Sequence, residues 1–385
     1  MRIALVSDTY SPQVNGVTTV LRRIVAALGH ARHDAVVVAP AYPSQQRVTR
    51  ADELRVPSLA FPPYPAIRLS LPAPHRVARF LDAFSPELVH VHTEGPLGMI
   101  GRRYALARHL PLVTSYHTHF PRYCREYGVP ALERTVWRWV ARFHRPAAMV
   151  HTPGEAARSE LAAHGITQAV VWGQGVDTRR FHHARRDDAL RRRLGFTKGE
   201  ILVLHVGRLA SEKNLDVLIS AFSLAHEALG SRARFVIAGE GPGEKKIAAR
   251  LPWAVRLGFL PMDQLADLYA SADLCVLPSH TETCGLVALE AMASGLPVIA
   301  ADAGGFRESV VNGENGLLVS PGDAPAFASA ICALAVEPAR RARMGAEART
   351  SAVARDSQIE NDELIEQYRR ILGRESERDV WRAAS

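Results

Sequence analysis

The sequence predicts an α/β protein made of two doubly wound parallel-sheet domains. Three observations predict it. Short apolar runs recur along nearly the whole chain, and most lack polar alternation, as strands covered on both faces should. Segments with helical periodicity separate them, the alternation that builds parallel sheets. The chain has 385 residues, more than the roughly 250–300 at which a single core stops growing.

The elements follow in order. A first strand series is Ile3–Asp8, Ala35–Pro40, Leu88–Thr93, Leu112–His117, Met149–Pro153 and Val170–Gly175. A second is Ile201–Gly207, Arg234–Gly239, Arg256–Leu260, Leu274–Pro278, Val298–Ala301 and Gly316–Ser320. Helices are expected at Val17–Leu28, Leu97–Arg108, Leu215–Leu229, Met262–Ala270 and Gly285–Ser294. The break between the series, 178–199, is charged and poor in strand formers and reads as a linker. The domains are then 1–177 and 200–355. A C-terminal helix, 356–372, is expected to pack back toward the first domain, and the tail 373–385 to fray. Open α/β sheets bind ligands at the carboxyl ends of their strands, so a cleft between the two sheets is the expected site.

Composition narrows the class. Hydrophobic residues make up 47% and charged residues 22%, ordinary for a soluble globular enzyme. No run of ~18 apolar residues is available to cross a membrane, and no signal-peptide pattern is evident. Cys124, Cys275, Cys284 and Cys332 are scattered and lack zinc-ligand spacing, which fits a reduced, cytoplasmic setting. The net charge of +8 is uneven. Residues 1–195 carry 27 Arg, no Lys and 14 acidic residues, a net +13, and the remainder is −5. A basic first half suits an anionic partner such as a membrane surface. The alternative is a solvated arginine-rich face.

Four stretches could carry chemistry. In Asp8-Thr-Tyr-Ser-Pro-Gln-Val-Asn15-Gly16, a strand gives way to a loop, and Gly16 opens a helix where backbone N–H groups favour an anion. An ordinary strand-to-helix turn is the alternative. In His205-Val-Gly207-Arg208-Leu-Ala-Ser-Glu-Lys213, two cations follow a strand, as a departing diphosphate requires. A surface Glu212–Lys213 charge pair is the alternative. Phe235–Gly243 contains three glycines after a strand and shows only a tight turn. The most informative stretch runs from Pro278 to Pro297. Glu282 lies in a polar loop, Gly285 opens an apolar helix with Leu286, and Glu290 follows ~7–8 Å along the axis. A carboxylate among apolar residues needs a partner, which sugar hydroxyls or a neighbouring loop would supply. His117 and His119 end a strand at the alternation that points both the same way. A pair of this kind serves either structure or catalysis.

The chain has no Asp-x-Asp for a metal diphosphate, no P-loop, no GxSxG elbow and no RNA-binding signature. No cofactor, no metal and no nucleic-acid partner are expected.

Together the stretches resemble family 4 of the retaining nucleotide-sugar-dependent glycosyltransferases, which have the GT-B fold of two Rossmann-like domains. The E-x7-E pattern is Glu282 and Glu290 within SHTETCGLVALEAMASGLPVIA, and VGRLASEKN, VIAGEGP, GVDTRRF and the NGV loop match as well. The resemblance implies that Gly16, Arg208 and Lys213 meet the donor diphosphate. It implies that Glu282 holds the transferred sugar and Glu290 the ribose, with backbone help from Gly285 and Leu286. His117 matches an active-site histidine. Cys284 replaces the more usual Phe and leaves a smaller side chain beside the sugar. SDTYSPQVNGVTTVLRRI and SYHTHFPRYCREYG look most like GDP-mannose-dependent α-mannosyltransferases, with sulfoquinovosyl-diacylglycerol synthases similar too. The implied reaction moves a hexosyl group, α-mannosyl from GDP-mannose, to a lipid or glycan acceptor. A UDP-sugar-dependent glycolipid synthase, or a GT-B phosphorylase or epimerase, is the alternative. Tyr123–Arg145 mixes Trp137, Trp139 and Phe143 with arginines such as Arg134, Arg138 and Arg142, so it is expected either to lie on a membrane or to bury its aromatics.

Overall fold

Every apolar run in the two series pairs in parallel in the computed structural model, which describes residues 1–13, 15–43, 52–61, 64–71, 73–126, 128–173, 175–197 and 199–374. The tail from 375 on and the side chain of Tyr123 lie outside the described residues. The chain divides into two units. The first takes Met1–Cys124, Val129–Gln174 and Gln358–Ser385, and the second takes Arg125–Gly128 and Gly175–Ser357.

The first unit holds β1 (Arg2–Val6), β2 (Asp34–Pro40), β3 (Glu53–Val56), β4 (Ser58–Phe61), β5 (Tyr64–Ser70), β6 (Leu88–Val91), β7 (Leu112–Ser115), β8 (Met149–Thr152) and β9 (Ala169–Val171). Seven of these form a parallel sheet in the order β3-β2-β1-β6-β7-β8-β9. β4 and β5 form a separate antiparallel ribbon. β3, β4 and β5 are additions to the expected series. β3 is a four-residue edge strand with alternating burial, so it lacks the continuous apolar run that marks a central strand. Pro65 falls inside β5, where proline argues against a strand. The helices are α1 (Gly16–His30), α2 (Pro74–Phe84), α3 (Pro96–Ala107), α4 (Phe120–Glu126), α5 (Glu133–His144) and α6 (Glu155–Ala163).

The second unit holds β10 (Ile201–Val206), β11 (Ala233–Ala238), β12 (Val255–Gly258), β13 (Leu274–Leu277), β14 (Val298–Ala301) and β15 (Gly316–Val319), in the order β12-β11-β10-β13-β14-β15. Its helices are α7 (Asp188–Arg193), α8 (Leu215–Leu229), α9 (Glu244–Arg250), α10 (Met262–Ser271), α11 (Leu286–Ala293), α12 (Phe306–Ser309), α13 (Ala324–Val336) and α14 (Pro338–Val353). Alternate residues of β10 enter different cores. Val203 packs with Phe222 of α8, while Leu202 and Leu204 pack with Tyr269 and Leu289 of α10 and α11. Both faces are covered, which is why the strand reads as one apolar run.

The stretch 178–199 is not a free linker. Phe181 is fully buried and Phe196 is 6% exposed, both in the core of the second unit. α7 is capped by Asp187, which accepts from the Ala189 amide at 2.7 Å. Arg191 donates to Asp273 at 2.8 Å and Arg185 to Asp267 at 2.8 Å. The charges that read as a solvated linker are the outer face of a packed segment.

α15 (Ser357–Ile371) belongs to the first unit. Trp172 donates through Nε1 to the Glu360 carbonyl at 2.8 Å, and fully buried Tyr368 meets His90 at 2.5 Å.

Candidate active site

The second sheet reverses its strand order between β10 and β13, and such a switch point opens a crevice at the carboxyl ends of the two strands. Arg208 and Lys213 lie on the loop after β10, and Glu282 lies on the loop after β13. The topology brings them together although 69 residues separate Lys213 from Glu282. The Lys213 ammonium donates to Glu282 Oε1, and Arg208 donates to Glu212 Oε1. The alternative, a Glu212–Lys213 surface pair, gives way to two other pairs. Ser211–Lys213 is a single 3₁₀ turn, in which neighbouring side chains diverge by about 120°.

Glu212 was not singled out from the sequence. It is 1% exposed, and its carbonyl accepts from Ser279 Oγ at 3.2 Å and Thr281 Oγ1 at 2.9 Å, which ties the Lys213 loop to the Glu282 loop. The three glycines of the third stretch serve the same loop. A Cβ on Gly239 would stand 1.9 Å from the Gly207 carbonyl oxygen, so only glycine lets β11 end against the backbone beside Arg208.

Burial pushes the Glu282 carboxyl up, but the charge and hydrogen bond of Lys213, with Ser279 and Arg208, hold it below the usual range. Two cations and two carboxylates balance, which suits a buried charged cluster. Lys213 keeps more donors than one carboxylate takes, since an ammonium carries three.

Gly285 caps α11 at φ 69°, and a Cβ there would stand 2.9 Å from Phe306 Cδ1. Leu286 is the first residue of the helix. Glu290, one turn on, is 7% exposed and accepts from the Tyr269 hydroxyl at 3.3 Å. Burial and the neighbouring Glu290 charge push the Tyr269 hydroxyl well up, so it stays protonated and donates. Tyr269 is a second residue the sequence did not mark, because in α10 it reads as core.

The first unit carries the remaining predicted residues. Asn15 caps α1 through a bond from the Thr18 amide at 2.9 Å, and Gly16 is the first helical residue. Asp8 turns away from that loop. It accepts from the Leu97 amide at 2.9 Å and the Gly98 amide at 3.2 Å, at the N-terminus of α3.

His117 sits in a histidine cluster. Its Nε2 is 3.1 Å from His92 Nδ1, and the rings stack at 5.4 Å. Among the described residues the buried His92 Nε2 has no partner. His90 meets Tyr368 and, at 2.7 Å, Ser115. His151 meets Gln367 at 2.6 Å. Burial pushes His117 down to about 3 and His151 to about 4. His119 does not share the His117 environment. β7 ends at Ser115, so strand alternation no longer applies, and His119 pairs with Glu160 at 2.5 Å.

Of the aromatics in 123–145, Trp137 is 7% and Phe143 2% exposed. They belong to the core, whereas Trp139 between them is 37% exposed. No helix of the described residues is long and apolar enough to cross a membrane.

Comparison with known proteins places these motifs in a family. Residues 14–180 match the family described as Glycosyltransferase Family 4, and residues 186–351 match Glycosyl transferases group 1. The chain is 35% identical over 384 residues to a GDP-mannose-dependent alpha-mannosyltransferase of Mycobacterium tuberculosis, covering 98% of each. It is 37% identical over 276 residues to a sulfoquinovosyl transferase of Arabidopsis thaliana, covering 69% of this chain and 53% of that one. Its fold matches a sucrose-phosphate synthase of Thermosynechococcus elongatus with a TM-score of 0.77 at 21% identity, covering 97% and 99% of the two chains. The fold is GT-B, and the chain belongs to glycosyltransferase family 4.

Proposed function

We propose that this glycosyltransferase moves an α-mannosyl group from GDP-mannose to a lipid or glycan acceptor, with retention of configuration and without a metal. The observation that carries the reading is the charge cluster at the switch point of the second sheet, with Glu290 in the adjoining α11. The similarity to a protein named for GDP-mannose and α-mannosyl transfer, across nearly the whole chain, supports the donor.

In this reading the diphosphate lies against Arg208 and Lys213, near the first amides of α11 at Gly285 and Leu286. Glu282 accepts from hydroxyls of the sugar, and Glu290 from those of the ribose. The bond from the sugar's anomeric carbon to the phosphate oxygen breaks. The acceptor oxygen bonds that carbon from the same face, and its proton passes to the departing phosphate. Charge grows on the diphosphate, so the two cations bind the transition state more tightly than the ground state. His117, which matches an active-site histidine, is neutral through burial and so is suited to hydrogen bonding rather than to acting as an acid. Metal independence is supported by cations standing where a metal would otherwise neutralise the phosphate.

The basic first half, net +13 over residues 1–195, supports a peripheral position on the cytoplasmic face of an anionic membrane. A second reading, a glycolipid synthase with another donor, is favoured by the sulfoquinovosyl relative and by Cys284. The test is transfer from labelled GDP-mannose and UDP-glucose to a membrane-lipid extract, with the new linkage read by NMR. An α-mannosyl product supports the proposal, and a β-linked product or transfer from UDP-glucose alone overturns it.

A further inference from the structure

α5 presents Arg134, Arg138 and Arg142 at four-residue intervals, and Arg145 follows just past its end. At 1.5 Å per residue, successive guanidiniums start about 6 Å apart along one stripe. They line a concavity of about 630 Å³ whose other walls are Trp137, Ala141 and His164. The size falls in the range of small-molecule sites.

The stripe is costly by itself. Like charges four residues apart destabilise a helix. Some arginines of the first unit find carboxylates: Arg55 pairs with Glu53, Arg108 with Asp82, and Arg158 with Glu155. Among the described residues, none of the four guanidiniums at the concavity has a carboxylate partner. A fifth arginine, Arg102 of α3, donates to the carbonyls of Phe143 at 3.0 Å and Arg142 at 3.1 Å, so it fixes the end of α5 and adds to the positive field.

The floor is rigid and flat. Trp137 is 7% exposed, and the His164 ring stacks on it at 3.7 Å and 9°. His164 Nδ1 donates to the Glu160 carbonyl at 2.9 Å, which fixes the ring's orientation. An arginine fork pairs with two oxygens of one anionic group, and phosphate fits that geometry.

We propose that this concavity is a binding site for a phosphate ester, held by the forks of Arg138 and Arg142 with Arg134 and Arg145 at its rim. Either a soluble phosphate ester or a phospholipid headgroup supplies that chemistry.

The full-length chain is tested as wild type, Arg138→Gln/Arg142→Gln and Arg138→Lys/Arg142→Lys. All the substituted side chains are exposed, so folding is checked simply by an unchanged melting temperature. One arm titrates glycerol 3-phosphate by calorimetry at low salt. The other floats phosphatidylcholine vesicles with and without phosphatidylglycerol. Wild type binds in at least one arm, and both double variants lose tenfold or more there. Loss in the calorimetric arm identifies a soluble ester as a sufficient ligand, and loss in the vesicle arm alone identifies a headgroup. The lysine variant separates a site from general surface charge, because it keeps the charge and removes the fork. Lysine variants that bind as wild type in both arms overturn the proposal, as does a wild type that binds neither probe. Either failure leaves the donor reading, which concerns the second unit, intact.

Discussion

Lys213 and Glu282 form an ion pair across the switch point of the second sheet, the ammonium donating to Oε1 of the carboxylate. Each residue closes a different strand-to-helix connection. The pair holds the cation against the crevice before any phosphate arrives, and it keeps the carboxylate ionised to accept hydroxyls.

Lys213→Ala lowers turnover about 10²–10³-fold, the usual loss for one contact to developing charge. It also removes the principal charge that holds the Glu282 carboxyl down, so the acid limb of kcat/KM moves to higher pH. Lys213→Arg retains the charge and shifts that limb less. Steady-state rates across pH check both effects, and unchanged turnover in Lys213→Ala removes the residue from the mechanism.

Gly285→Ala forces a side chain into left-handed backbone and against Phe306. A left-handed non-glycine residue costs roughly 1–2 kcal/mol. The expected result is a lower melting temperature and weaker nucleotide-sugar binding by calorimetry. A variant as stable as wild type would show that the loop accommodates a Cβ.

Stability falls as pH drops from about 6.5, because the buried histidines charge only on unfolding. His90, His92, His117 and His151 all titrate below the ordinary histidine value in the folded chain, chiefly through burial. Between the folded and unfolded values the unfolded chain binds more protons, so stability rises with pH, by up to ~1.4 kcal/mol per pH unit for each histidine. Below about pH 4.5 Glu282, whose folded value is depressed, adds a loss of its own as it protonates. Urea midpoints from pH 7 to 4.5 measure this, and His151→Gln should flatten the slope. A midpoint constant over that range contradicts the burial of neutral imidazoles.

EDTA leaves transfer intact if Arg208 and Lys213 neutralise the diphosphate. Loss of activity on chelation, restored by magnesium, assigns that task to a metal.

Much of this was legible in the sequence. Central parallel strands announce themselves as apolar runs, and Val298–Ala301 and Leu215–Leu229 end where the sequence puts their ends. Arg208, Lys213, Glu282 and Glu290 stand out as charges beside apolar elements. Their pairing was not legible, because the 3₁₀ turn at Ser211–Lys213 decides which way Glu212 faces. The arginines of 178–199 read as solvent-facing, since their partners Asp267 and Asp273 lie some 80 residues on. The histidines of β6 and β8 look like ordinary strand residues until α15 supplies Tyr368 and Gln367.

Melting temperature against a panel of nucleotide sugars tests the donor most directly, because a ligand that binds only the folded chain raises its apparent stability, by ~2.7 kcal/mol at a hundred times Kd. The expected result is a rise with GDP-mannose and GDP that shrinks in Lys213→Ala and Glu290→Gln. A rise with UDP-sugars and none with GDP-mannose contradicts GDP-mannose as the donor, and no rise with any nucleotide sugar contradicts the site itself.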